Sequence, residues 1–178
     1  MLSLDRLRRL LRELDDPTHL ELPEDYDLSA ARHRFAQLAD ALERRFGLSV
    51  TAGMVQDASY YGYVSVPPSA SGINQPLWVK MSNFGPFVTS GAGRNWGMPG
   101  CEAGLSDAFV TWLDELCMEL GCIYVPVELL LEPYEGPSVL EDEESEAVLA
   151  ALAAEADDEE EEEEELPLAW YDRYFQYM

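Results

Sequence analysis

The residues able to carry chemistry are few, and most lack the neighbours that chemistry needs. Nucleophilic catalysis requires a nucleophile, a base and a group that orients the base. The two histidines are His19, in a polar stretch with no evident partner, and His33, flanked by Arg32 and Arg34 on what reads as a solvated helix face. Carboxylates number 35, so any pair of them carries little diagnostic weight. The three cysteines, Cys101, Cys117 and Cys122, are an odd number and exclude a fully paired disulfide framework. A zinc site needs four ligands, and nothing near Cys117 and Cys122 completes a set. Cys117 instead fits a helix face as a small apolar residue. The stretch Gly91-Ala-Gly-Arg-Asn-Trp-Gly97 lacks the Gly-Lys-Ser/Thr ending of a phosphate-binding loop, and its Gly-x-Gly does not open the next helix. No enzyme activity, metal or cofactor is expected.

What remains points to binding. Arg94 and Trp96 are residue types enriched at interface hot spots, with Asn95 between them. Tyr61 and Tyr63 fall on one face of a neighbouring strand with Ser65. Tyr61, Tyr63, Arg94, Asn95 and Trp96 are therefore the candidate partner-binding residues. Packing beneath the glycine-rich loop is the other reading of the same aromatic rings.

The elements that must position these residues follow from periodicity. Leu4, Leu7, Leu11 and Leu14 predict an amphipathic helix over 3–14, capped by Ser3 and ended at Asp15-Asp16-Pro17. Leu28, Ala31, Phe35, Leu38, Leu42 and Phe46 predict a helix over 28–46 closed by Gly47. Residues 49–57 and 60–66 read as a hairpin, and 67–72 as a loop. In 77–82, Leu77, Val79 and Met81 alternate with Trp78, Lys80 and Ser82. A turn at 83–86 leads to a return strand over 87–90. Residues 91–104 hold five glycines and a proline, hence a loop. Ser106 caps a helix whose face carries Phe109, Trp112, Leu113, Leu116, Cys117 and Leu120. Residues 122–131 read as a strand, with Pro126 placing it at an edge or bulge. The expected fold is α+β: an antiparallel sheet of about five strands with helices on one face.

The 178 residues fit one domain with a sizeable core, at a formal net charge of -24. That charge is concentrated. Residues 132–165 hold 17 acids and no base, ending in the seven glutamates Glu159 to Glu165. Such a run repels itself and cannot form a core. Yet Trp170, Tyr171, Tyr174, Phe175 and Tyr177 follow it, and a free cluster of that kind would be a solubility hazard. The chain is therefore divided into a domain of residues 1–131 and 166–178, interrupted by a solvated acidic insertion over 132–165. The insertion reads as a solubilising linker, as a lure for a cationic partner, or as an ion-pair partner for the arginines of residues 6–12. The acidity argues against direct binding of nucleic acid or of an anionic membrane surface. Arginines interrupt the N-terminal apolar residues, no run is long enough to span a membrane, and a cytoplasmic location is expected.

Two stretches carry a resemblance. Leu77-Trp-Val-Lys-Met-Ser-Asn-Phe-Gly85, followed by Phe87-Val-Thr89, resembles a strand–turn–strand of small bacterial immunity proteins of polymorphic toxin systems. The ending Trp170-Tyr-Asp-Arg-Tyr-Phe-Gln-Tyr177 is similar to the aromatic C-terminal helix many of them carry. The resemblance implies an antitoxin that binds a cationic toxin or nuclease domain and blocks its active site. The single lysine, Lys80, among many Arg, Ala, Gly and Leu suggests a GC-rich bacterial source. An acidic nucleic-acid mimic or adaptor that binds a cationic defence or DNA-binding protein is the alternative. A ligand-binding domain with its pocket near the glycine loop is the third reading.

Overall fold

The computed structural model describes residues 1–20, 23–47, 50–56, 60–84, 86–137 and 167–176, with the backbone alone at 54–56, 60 and 61. Most of residues 132–165, and with them the expected insertion, lie outside the described residues.

The chain opens with α1 (Leu4–Glu13), whose first turn is capped by the Ser3 hydroxyl accepting from the Arg6 N–H. Next comes α2 (Leu28–Phe46), capped by Asp27 and ended at Gly47, with Arg44 and Arg45 in its last turn. The hairpin follows as β1 (Thr51–Gln56) and β2 (Tyr60–Val66), then a single turn α3 (Pro68–Ser71) where a loop is expected. Strands β3 (Leu77–Met81) and β4 (Phe87–Ala92) form the second hairpin. Ser106 caps α4 (Asp107–Glu119), which leads to β5 (Ile123–Tyr124).

These strands form one five-stranded sheet in the order β1-β2-β3-β4-β5. The first three pairings are antiparallel and β4–β5 is parallel. The protein is thus α+β with a mixed, mostly antiparallel sheet. The parallel pair corrects the expectation of a wholly antiparallel sheet. Its cause is the long connection through the glycine loop and α4, which returns the chain to the start of β4 rather than its end. The strand expected over 122–131 is only two residues long. It lies at the edge of the sheet, one of the two positions Pro126 implies, and Pro126 then leads into the one-turn helix α5 (Val127–Leu130).

The helices cover both faces, not one. On the first face, Val64, Val66, Leu77, Val79, Met81 and Val88 pack against Phe35, Leu38 and Leu42 of α2 and Phe109, Leu113 and Cys117 of α4. The second face carries Trp78, Lys80, Phe87 and Thr89, and it too is buried. Its cover is α1, α5 and a last helix, α6 (Trp170–Phe175): Leu7, Leu11, Leu129, Trp170, Tyr174 and Phe175 cluster with Phe84 and Phe87. Alternation in β3 therefore does not separate an inner from an outer face; all five of its residues are buried.

Three sets of contacts tie α6 and the segment beside it, residues 132–135, to the start of the chain and to each other. Residues 132–134 run beside 168–170: the Tyr134 N–H donates to the Leu168 carbonyl at 2.7 Å, and the Trp170 N–H to the Glu132 carbonyl at 3.1 Å. Arg8 and Arg12 of α1 form bidentate pairs with Glu132 and Glu135, the closest contacts being 2.6 and 2.8 Å. The expected pairing of the α1 arginines with the acidic stretch is thus met at its described start. The third set is buried. Arg173, only 1% exposed, donates through Nε to Asp15 Oδ1 at 2.7 Å and through its other nitrogens to the carbonyls of Leu20 and Asp16. Its guanidinium lies 4.2 Å from the centre of the Phe84 ring. The second oxygen of Asp15 accepts from the Tyr134 hydroxyl at 2.8 Å.

Breaking a buried ion pair strands a desolvated charge and costs about 3–5 kcal/mol. Arg173→Met should lower unfolding stability by that amount in urea denaturation. A loss below about 1 kcal/mol is the behaviour of an exposed pair and would contradict this assignment.

Candidate binding site

The sheet register builds the site. Gly53, Tyr63, Lys80 and Thr89 stand opposite one another on successive strands, forming one row across the second face. The next row contains Ser65, Trp78 and Gly91. The glycine loop after β4 folds back over these rows and places Trp96 on them. The Trp96 ring centre is 5.1 Å from that of Tyr63 and 6.0 Å from that of Trp78, stacked on the latter at an interplanar angle of 28°.

Gly97 is what lets the loop turn there. Its φ of +75° favours glycine, and a Cβ at this position would stand 2.2 Å from the Tyr171 ring. Loop and α6 therefore touch, and between them they enclose Lys80. The Lys80 ammonium lies 5.2 Å from the Trp96 ring centre and 5.3 Å from that of Tyr171. It donates to the Tyr171 hydroxyl and to the Phe175 carbonyl, both at 3.2 Å. Cation–π contact and two hydrogen bonds offset part of the cost of desolvating the charge. Burial still lowers the Lys80 pKa to about 8 from its ordinary value of 10.5.

Arg94 and Asn95 lie exposed on the outer rim of the loop. With Gln75, Met98 and Cys101 they border a shallow depression of about 230 Å³. Met98 is itself 55% exposed. Among the described residues Arg94 makes no ion pair. Burial, with Glu102 nearby, pushes the Cys101 thiol up to about 11, and burial raises Cys117 and Cys122 as well. All three are buried, unpaired thiols, protonated at neutral pH.

Of the five candidate residues, the structure brings Tyr63 and Trp96 into contact and sets Arg94 and Asn95 beside them on the rim. The backbone of Tyr61 pairs with Val55, and its side chain lies outside the description. Trp96 serves as packing and as surface at once, half-buried on Trp78 with Tyr63 at its side. Sequence reasoning missed Lys80 and Tyr171. The one lysine of the chain, set within an otherwise apolar strand, was the available signal. His33 is exposed on α2 as expected. No helix among the described residues is long and apolar enough to cross a membrane. No family model, curated protein or solved structure matches the chain.

Lys80 gives the fold a pH signature. Below about pH 8 the amine is charged in both the folded and the unfolded states. Between about pH 8 and 10 the unfolded chain holds more protons at this amine, so its contribution to stability rises with pH, by about 3 kcal/mol at most. The three buried thiols act in the opposite sense, because the unfolded chain loses their protons first. The signature is therefore a difference: from pH 7.5 to pH 9.5 the denaturation midpoint of the native protein should gain on that of Lys80→Met. A difference that stays constant or shrinks across this window would contradict the burial of a charged lysine.

Proposed function

We propose that the chain is a non-catalytic binding protein of the immunity type. On this reading it is a bacterial, cytoplasmic antitoxin that binds a cationic toxin or nuclease domain and blocks its active site. One observation carries the reading. Seventeen acids and no base fall within residues 132–165, and the described start of that stretch, residues 132–134, is held beside residues 168–170 on the folded body. The acidic chain thus leaves and re-enters the domain at one place, next to α1. Such a charge concentration draws in a cationic partner from a distance and repels anionic competitors.

The packing of the two stretches that carry the resemblance supports the reading. They are far apart in sequence, and they meet: the Asn83 N–H donates to the Tyr174 carbonyl at 2.8 Å, and the Asn83 side chain to the Gln176 carbonyl at 2.6 Å. Phe87 meets the Tyr174 ring edge-on at 4.7 Å. The contact surface of this proposal is the patch formed by Tyr61, Tyr63, Arg94, Asn95 and Trp96. There, short-range packing holds the partner that charge has delivered.

The test is kinetic. The partner is captured from the native host, and stopped-flow association is followed with the purified pair. Raising salt from about 10 to 150 mM shortens the Debye length from about 30 to about 8 Å. The on-rate should fall steeply while the off-rate changes little. Exchanging Glu159 to Glu165 for Gln should slow association without abolishing binding. Replacing 138–164 by a short Gly/Ser linker should do the same and leave the melting temperature within a few degrees, since loop closure depends weakly on length. Trp96→Ala should mainly speed dissociation. A salt-independent on-rate would overturn the proposal. Complete loss of binding on neutralising the glutamates, with competition by DNA, would make the protein a nucleic-acid mimic instead.

A further inference from the structure

The sheet has one long edge that no described element pairs with. β1 is the terminal strand of the order, and among the described residues nothing is hydrogen-bonded to its outer side. The opposite edge, β5, is only two residues long. Exposed edges are normally blunted by charge, proline, a bulge or a covering element. Thr51-Ala-Gly-Met-Val-Gln56 has no charged residue and no proline, and it pairs with β2 in unbroken register. At its start the helical layers stop short of it: Thr51 and Ala52 point to opposite faces, and both are exposed.

The chemistry beside this edge is specific. Gly53 stands directly opposite Tyr63, and a Cβ on Gly53 would lie 2.3 Å from the Tyr63 ring. The Tyr63 ring therefore leans across the edge strand, with no β1 side chain between it and a strand added outside. Trp96 stands behind it at 5.1 Å. A side chain entering opposite Gly53 would meet an aromatic face. The net charge of -24 selects which side chain that is: a guanidinium or ammonium gains both the long-range attraction and a cation–π contact.

We infer that the outer edge of β1 receives an extended basic segment of the protein partner as an added strand, with a cationic side chain placed over Tyr63. This rests on the proposed binding function and gives it a docking mode. Main-chain hydrogen bonds to β1 supply affinity, and the gap at Gly53 supplies selection.

The experiment uses the native, isotope-labelled protein and two peptides of equal charge. One is a hexapeptide of alternating arginine and valine, and the other has proline in place of each valine. Both can be held by the acidic stretch, but only the first can complete a β ladder. The valine peptide should shift the amides of residues 51–56, protect the alternate ones that face outward, and bind about tenfold more tightly than the proline peptide. Gly53→Val, which obstructs the Tyr63 ring, should reduce that advantage. Equal affinities with no change at β1 would overturn the inference while leaving charge-driven binding intact. Failure of both peptides to bind would count against the binding function as well. Concentration-dependent protection of β1 without peptide, with a dimer in sedimentation, would make a second copy the occupant and overturn the assignment to a partner.

Discussion

The buried pair between Arg173 and Asp15 is the constraint on which the second half of the structure depends. The two residues come from opposite parts of the chain, with the acidic stretch between them. An unpaired guanidinium at that depth would be prohibitive, and here its nitrogens reach Asp15 and the carbonyls of Leu20 and Asp16. Satisfying it fixes where α6 lies, and with it the aromatic residues Trp170, Tyr171, Tyr174 and Phe175. Those rings cover a sheet face that would otherwise present Phe87, Lys80 and Thr89 to water.

Once α6 is placed, the glycine loop has a surface to rest on. Gly97 meets the Tyr171 ring, Trp96 stacks on Trp78, and the Lys80 ammonium is enclosed between loop and helix. The candidate binding patch is thus the outer side of a packed assembly rather than an independent loop. Trp96 packs on the buried cluster of Trp78, Cys101 and Val127, and Tyr63 packs against Trp96. Rigid aromatic groups lose little entropy on binding, which is what an interface anchor requires. Arg94, Asn95 and Met98 surround them on the exposed rim.

Much of the fold was legible because it rests on local periodicity. The apolar stripe of α2 predicts residues 28–46, the span observed, and the hairpins of β1–β2 and β3–β4 follow from alternation and turn residues. What was hidden depends on distant parts of the chain. The second face of β3 read as open, because what closes it comes from distant parts of the chain: α1, the glycine loop, α5 and residues 170–175. Pro126 indicated an edge strand or a bulge, and β5 does lie at the edge, but that the chain beyond it turns into a helix depends on the burial of Val127, Leu129 and Leu130. The aromatic ending signalled that it must dock without saying where. For the site, Tyr63 and Trp96 were found by residue type, whereas Lys80 was overlooked because a lone lysine in a strand resembles an ordinary exposed one.

The most direct measurement is native-state hydrogen exchange on the Arg173→Met protein, compared with the native form. If the buried pair organises the second face, protection should fall together at α6, at the Asn83 amide, and at the loop amides of Met98 and Cys101 that flank Gly97. Residues of α2 and α4 on the first face should keep their relative protection. Loss of protection confined to α6, with the loop unchanged, would show that the candidate site does not depend on the pair and would contradict the account.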